Sequence, residues 1–108
     1  VDVGIALDRR NIKAQMQGAL AFGLSSSIFG EITVSDGAVD QTNFDVYSLL
    51  QMHQTPPIET RIHESGEIIR GVGETTTPLA APALGNAIFA ATGKRIRELP
   101  FSKFVRFV

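Results

Sequence analysis

The chain has 108 residues, 44% hydrophobic and 19% charged, with a formal net charge of -1. That describes one soluble globular domain with no pull toward nucleic acid or anionic lipid. The absence of cysteine excludes disulfides, thiolate zinc sites, cysteine-ligated iron–sulfur clusters and cysteine nucleophiles, and leaves a cytoplasmic or periplasmic home equally open.

No apolar run approaches the length of a membrane span, so a soluble or peripherally membrane-associated protein is expected. The start, Val1-Asp2-Val3-Gly4, carries neither an initiating Met nor a basic-then-apolar signal, and the expectation is a chain that begins inside a larger polypeptide. Val1, Val3 and Ile5 alternate with Asp2 and Gly4, the period of a strand with one buried face, with weak pairing expected at its first residues. Ala6-Leu7-Asp8 leads out of it.

Asp8 suits an N-cap, and apolar residues follow at Ile12, Met16, Ala19, Leu20, Leu24 and Ile28. This spacing predicts an amphipathic helix from about Arg9 to Phe29, ended by Gly30. Gly18 and Gly23 interrupt it at a cost of about 1 kcal/mol each relative to Ala, which either close packing or a close ligand would explain. Glu31 to Val34 and Val39 to Phe44 then read as two strands of a hairpin joined through Ser35-Asp36-Gly37-Ala38, because Asp-Gly favours the tight turn such a pair needs.

Asp45 to Gln54 fits either a short helix or irregular structure, and Thr55-Pro56-Pro57 closes it. Ile58, Thr60 and Ile62 alternate with Glu59, Arg61 and His63, which predicts a strand ending at Ser65-Gly66. A second helix is predicted from Pro78 to Thr92, capped by Thr77 and followed by Gly93. Pro82 implies either a kink or a later start, since its missing N–H removes a helical hydrogen bond.

Beyond Gly93, Lys94, Arg95 and Arg97 follow a helix end, where positive charge is favourable. The tail from Phe101 to Val108 repeats Phe101, Phe104 and Phe107 at intervals of three, a pattern suited to covering a core or a neighbouring domain. His53 and His63 have no companion at metal-ligand spacing.

The candidate chemistry lies in Gly71-Val72-Gly73-Glu74, where two glycines allow close backbone approach and a carboxylate sits ahead of a helix start. Burial would raise the Glu74 pKa and the helix dipole would lower it; a carboxylate so held can act as a general base. By itself the motif does not distinguish that role from a plain glycine turn with an acidic residue after it. Gln15 offers an amide donor and acceptor, and by itself reads equally well as an exposed helical glutamine.

Three groups of residues carry a resemblance. They are Gly71-Val72-Gly73-Glu74 with Pro78, the run from Ala81-Pro82-Ala83-Leu84-Gly85-Asn86 to Lys94-Arg95-Ile96-Arg97, and Ala14-Gln15-Met16-Gln17-Gly18 with Phe22-Gly23-Leu24. Together they resemble, from Val1 to about Pro100, the C-terminal part of the molybdenum-binding subunit of the xanthine oxidase family of molybdenum hydroxylases. The branch they resemble is that of the isoquinoline 1-oxidoreductase beta subunit and related aldehyde dehydrogenases. Where many relatives read Gln-Gly-Leu-Gly, this chain reads Phe22-Gly23-Leu24-Ser25 and so lacks a polar side chain at Phe22.

The resemblance implies an α+β, two-layer fold with two main helices on a mainly antiparallel sheet, in which residues 1–108 are the C-terminal part of a molybdopterin cofactor-binding domain. It implies an oxidoreductase that inserts water-derived oxygen at an electron-poor carbon of an N-heterocycle such as isoquinoline, or of an aldehyde. Glu74 would be the catalytic base, and Gln15, Gly71, Val72 and Gly73 would face the cofactor. Thr75, Thr76 and Thr77 are expected to cap the second helix, a hydroxyl near substrate being the other reading.

The implied cofactor is molybdopterin, in the cytosine dinucleotide form, held by its own dithiolene and so compatible with a cysteine-free chain. The implied partners are the rest of the same subunit and a small iron–sulfur (alpha) subunit with [2Fe–2S] clusters. The isolated chain is expected to bind no cofactor, to be inactive, and to self-associate through uncovered surface. The alternative is a non-catalytic α/β module for binding or assembly that keeps the family scaffold.

Overall fold

The structure, a computed structural model, describes residues 1–66 and 68–107; the Val108 end of the predicted tail lies outside the described residues. Helix α1 spans Arg9–Phe29, as the spacing predicts. The Asp8 carboxylate accepts from the backbone N–H groups of Arg10 (2.9 Å) and Asn11 (3.0 Å), satisfying two of the donors that a helix start leaves free. Helix α2 spans Thr77–Thr92 and ends at Gly93, whose left-handed φ of 72° lets its N–H reach the Phe89 carbonyl at 2.8 Å.

The second helix departs from expectation at its start. Its cap position is Thr76, not Thr77, and no side chain caps it. Of the two readings of Pro82, the later start is ruled out, because the helix includes Pro82 in its interior and leaves the Pro78 carbonyl without its usual donor one turn on.

The two helices pack on each other. Met16, Ala19, Gly23 and Ser27 recur at three and four on α1, and Ala80 and Ile88 supply the buried positions of α2. At Gly23 the backbones come so close that a Cβ would lie 2.5 Å from the Thr77 carbonyl oxygen and 2.7 Å from the Ala80 Cβ. Close packing therefore accounts for this glycine. Phe101, in a short 3₁₀ turn at Phe101–Lys103, is buried beside them and completes the core with Val3 and Ile28.

The fold class is α+β, with an antiparallel sheet of two strands, β1 (Val34–Ser35) and β2 (Ala38–Val39), in the register Val34↔Val39 and Ser35↔Ala38. Asp36 (φ 50°) and Gly37 (φ 80°) both take positive φ, the signature of the type I′ turn that Asp-Gly favours. The predicted strands Glu31 to Val34 and Val39 to Phe44 are shorter than expected: among the described residues the ladder takes in these four, with one further bond from Asp40 N–H to the Thr33 carbonyl at 3.0 Å, and both faces stay exposed. Asp45 to Gln54 is mostly irregular, with a 3₁₀ turn at Met52–Gln54.

Among the described residues, the predicted strands at residues 1–5 and 58–63 meet in one parallel bridge, Asp2↔His63. Val3 N–H donates to the His63 carbonyl at 3.1 Å, and His63 N–H donates to the Val1 carbonyl at 2.8 Å. Alternation survives along the second segment, with Ile58, Thr60 and Ile62 half-buried and Glu59, Arg61 and His63 exposed. A Cα radius of gyration of 16.6 Å exceeds the ~13 Å of a closed domain this size. The core is correspondingly thin.

Two glycines on α1 separate packing from open space. Gly23→Ala should lower the stability of the chain by about 1–3 kcal/mol through overpacking, whereas Gly18→Ala should raise it by about 0.5–1 kcal/mol, since nothing lies within 4 Å of a Cβ there. Thermal melts of the two variants check both signs.

The N-terminal segment carries a pH dependence. Asp2 is held below the ordinary carboxylate value chiefly by the Gly4 N–H (2.9 Å); desolvation opposes this, and the Ser65 hydroxyl and then the Arg70 guanidinium add to the lowering. Glu64 is lowered first by the Ala6 N–H (3.0 Å) and then by Arg9, with which it pairs. A depressed folded pKa means stabilisation that is complete above the unfolded value and lost as pH falls through the folded one. Amide exchange at Gly4 and Ala6 should therefore accelerate only below the ordinary carboxylate range, and constant protection into strong acid would contradict this.

Candidate functional site

A cleft of about 780 Å³ opens between α1 and the loop that leads into α2. Helix α1 contributes Ala14, Gln15, Gly18, Ala19 and Phe22, and the loop and first turn of α2 contribute Gly73, Glu74, Thr77 and Pro78. Ala14, Gly18 and Phe22 stand four residues apart, as do Gln15 and Ala19, so all five share one helix face. The volume lies within the ordinary range for small-molecule and cofactor sites.

Three of the five residues singled out from the sequence meet at this cleft. Gln15, Gly73 and Glu74 line it, and a Cβ on Gly73 would lie 3.7 Å from the Gln15 Oε1. Gly71 is exposed and Val72 half-buried in the approach to the loop, and neither lines the cleft. Ala14, Phe22, Thr77 and Pro78 are lining residues that the sequence reading did not assign to the site; the four-residue spacing along α1 was the available signal for the first two.

The threonines hold the loop in place by a route different from the expected one. Thr76 Oγ1 donates to the Met16 carbonyl at 3.1 Å, Thr77 Oγ1 to the Ala19 carbonyl at 3.3 Å, and Thr75 Oγ1 contacts the Met16 sulfur at 3.4 Å. Instead of capping their own helix, these hydroxyls fasten the loop to the backbone of α1. The geometry follows from the Gly23 contact, which brings Thr77 against α1 in the first place.

Glu74 is exposed and sits two residues before the cap of α2, its carbonyl accepting from Thr77 N–H at 3.1 Å. Among the described residues, neither its carboxylate nor the Gln15 side-chain amide has a hydrogen-bonding or ion-pairing partner. Both polar groups are thus available to something in the cleft. Among the described residues no three His, Asp or Glu side chains cluster to hold a metal ion, and no helix is long and apolar enough to cross a membrane.

No family model matches the chain. Its sequence and fold resemble a segment of the molybdenum-binding subunits of xanthine oxidase-family hydroxylases, and its relatives are oxidoreductases. It is 36% identical over 100 residues to isoquinoline 1-oxidoreductase subunit beta of Brevundimonas diminuta, covering 93% of this chain and 13% of that protein. It is 37% identical, with the same coverage, to a membrane-bound aldehyde dehydrogenase (pyrroloquinoline-quinone) of Gluconacetobacter polyoxogenes. The chain thus spans about one eighth of the length of these relatives.

A Cu,Mo-CO dehydrogenase crystal structure, in its carbon monoxide-reduced state, shares the fold with a TM-score of 0.75 at 23% identity, over 90% of this chain and 14% of that one. The expected resemblance and fold class therefore hold.

If the threonine hydroxyls hold the loop, Thr76→Val should weaken it by about 0.5–1.5 kcal/mol. Amide exchange in residues 71–76 should quicken while α1 stays protected. Unchanged exchange would show that the hydroxyl contributes nothing to the tether.

Proposed function

We propose that residues 1–108 form the C-terminal part of a molybdopterin cofactor-binding domain, and that the cleft between α1 and the Glu74 loop is its contribution to the active site. The observation that carries this reading is the meeting of Gln15, Gly73 and Glu74 on one cleft, with both polar side chains unclaimed by the described residues. The parent activity is oxidative hydroxylation of an N-heterocycle such as isoquinoline, or of an aldehyde, with water as the source of oxygen. Relatives bearing those names support this choice of substrates.

The residues present suit a large planar cofactor. A Cβ on Gly18, which lines the cleft, would meet nothing within 4 Å, so its backbone borders open space that the chain itself does not use. Gln15 would hold the pterin or its cytosine dinucleotide phosphates through its amide, and Gly71, Val72 and Gly73 would approach it with backbone N–H groups. When bound, the group supplies the two-electron acceptor and the site at which water-derived oxygen is delivered.

Glu74 acts as the general base. Its carboxylate takes up the proton released as oxygen is inserted at the electron-poor carbon, and the loop that carries it is tethered to α1 through Thr76 and Thr77. A small alpha subunit carrying [2Fe–2S] clusters would be the partner that takes the electrons onward. The remaining walls of the site come from the rest of the same subunit, so the isolated chain is inactive, binds no cofactor and self-associates through exposed apolar residues such as Leu7, Ile32 and Phe44.

In the assembled enzyme, Glu74→Gln should keep its molybdenum and lose hydroxylation by about a hundredfold to ten-thousandfold, the usual worth of a general base. Metal analysis and turnover of isoquinoline and aldehydes check both halves. Undiminished turnover would contradict the assignment of the base, and an assembled enzyme without molybdenum would favour a binding or assembly module, or the quinone cofactor in one relative's name.

A further inference from the structure

Phe22 stands at the cleft with 67% of its surface exposed, on a helix whose other face is taken up by packing against α2. The core does not claim it. Its neighbours along the cleft are small, Gly18 and Ala19 on α1, so one face of the ring borders open space. Among the described residues that line the cleft, Phe22 is the only aromatic one.

Gln15 and Phe22 lie seven residues apart on α1, which places them about 10 Å apart along the helix axis. The cleft therefore has a hydrogen-bonding end and an apolar end. A pterin, whose ring edges are dense with donors and acceptors, suits the amide. A phenylalanine ring offers no hydrogen bond and instead gains from a flat, largely apolar conjugated ring laid on its face or edge.

We propose that Phe22 is a substrate-specificity residue, whose ring forms the apolar wall against which a flat aromatic substrate is held beside Glu74. The proposal rests on the functional reading above and adds to it a preference for aromatic N-heterocycles over aliphatic aldehydes. The same ring chemistry could be supplied by the pterin, and the test separates the two sources.

The assembled enzyme carrying Glu74→Gln provides the background, because binding can be measured there without turnover. In it, Phe22→Ala should weaken isoquinoline binding, read by calorimetry, by about three- to tenfold, the worth of one aromatic pair. Phe22→Tyr should leave that affinity within about twofold, since it keeps the ring. Molybdenum content should be equal in all three. In enzyme with Glu74 intact, the preference for isoquinoline over acetaldehyde, as a ratio of kcat/KM, should fall by a similar factor in Phe22→Ala.

Equal isoquinoline affinity in Phe22→Ala and its background would overturn the proposal, as would no isoquinoline binding to the background enzyme at all. Loss of molybdenum on Phe22→Ala would also overturn it by assigning the ring to the cofactor. Persistent turnover in Glu74→Gln would count against the base alone, because the affinity comparison at Phe22 does not depend on it.

Discussion

The close crossing of α1 and α2 at Gly23 is the constraint on which the site depends. With no side chain there, the Thr77 carbonyl and Ala80 come within contact of the α1 backbone, closer than any Cβ would permit. That proximity brings Thr76 and Thr77 within hydrogen-bonding reach of the Met16 and Ala19 carbonyls. Glu74, two residues before the cap, is thereby held over the same face of α1 that presents Gln15. A loop fastened at its end in this way positions a carboxylate better than a free one of the same composition.

The glycines fall into two kinds, and the distinction has functional content. Gly23 is required by what the chain packs against itself, whereas Gly18, on the cleft wall, faces space in which a Cβ would touch nothing. Gly18 bears the helix penalty of a glycine with no internal return. Space kept open along a cleft wall is what a large planar ligand would use. The extended shape and exposed apolar residues fit a segment whose remaining walls come from other polypeptide.

Local chemistry made the helices legible. Asp8 supplies a cap with a definite partner, the apolar spacing marks one face, and Gly93 can take the left-handed turn that ends α2. Asp36-Gly37 was equally legible, because few residue pairs accept positive φ in succession. Strand extents were not, since alternation at Ile58, Thr60 and Ile62 reports one covered face and says nothing about how many hydrogen bonds a neighbouring strand supplies. The role of the threonines is not legible locally, because their partners, Met16 and Ala19, are about sixty residues away and the Gly23 contact brings them near. Phe22 was visible as an apolar residue in a helix; its exposure on the cleft depends on which face α2 occupies.

The central claim is that the cleft between Gln15 and Glu74 faces molybdenum. Anomalous diffraction from crystals of the assembled enzyme, collected on both sides of the molybdenum absorption edge, would locate the metal without reference to activity. The account predicts a single strong peak at the mouth of this cleft, on the Glu74 side. A peak remote from Glu74, or no peak in fully active enzyme, would contradict it.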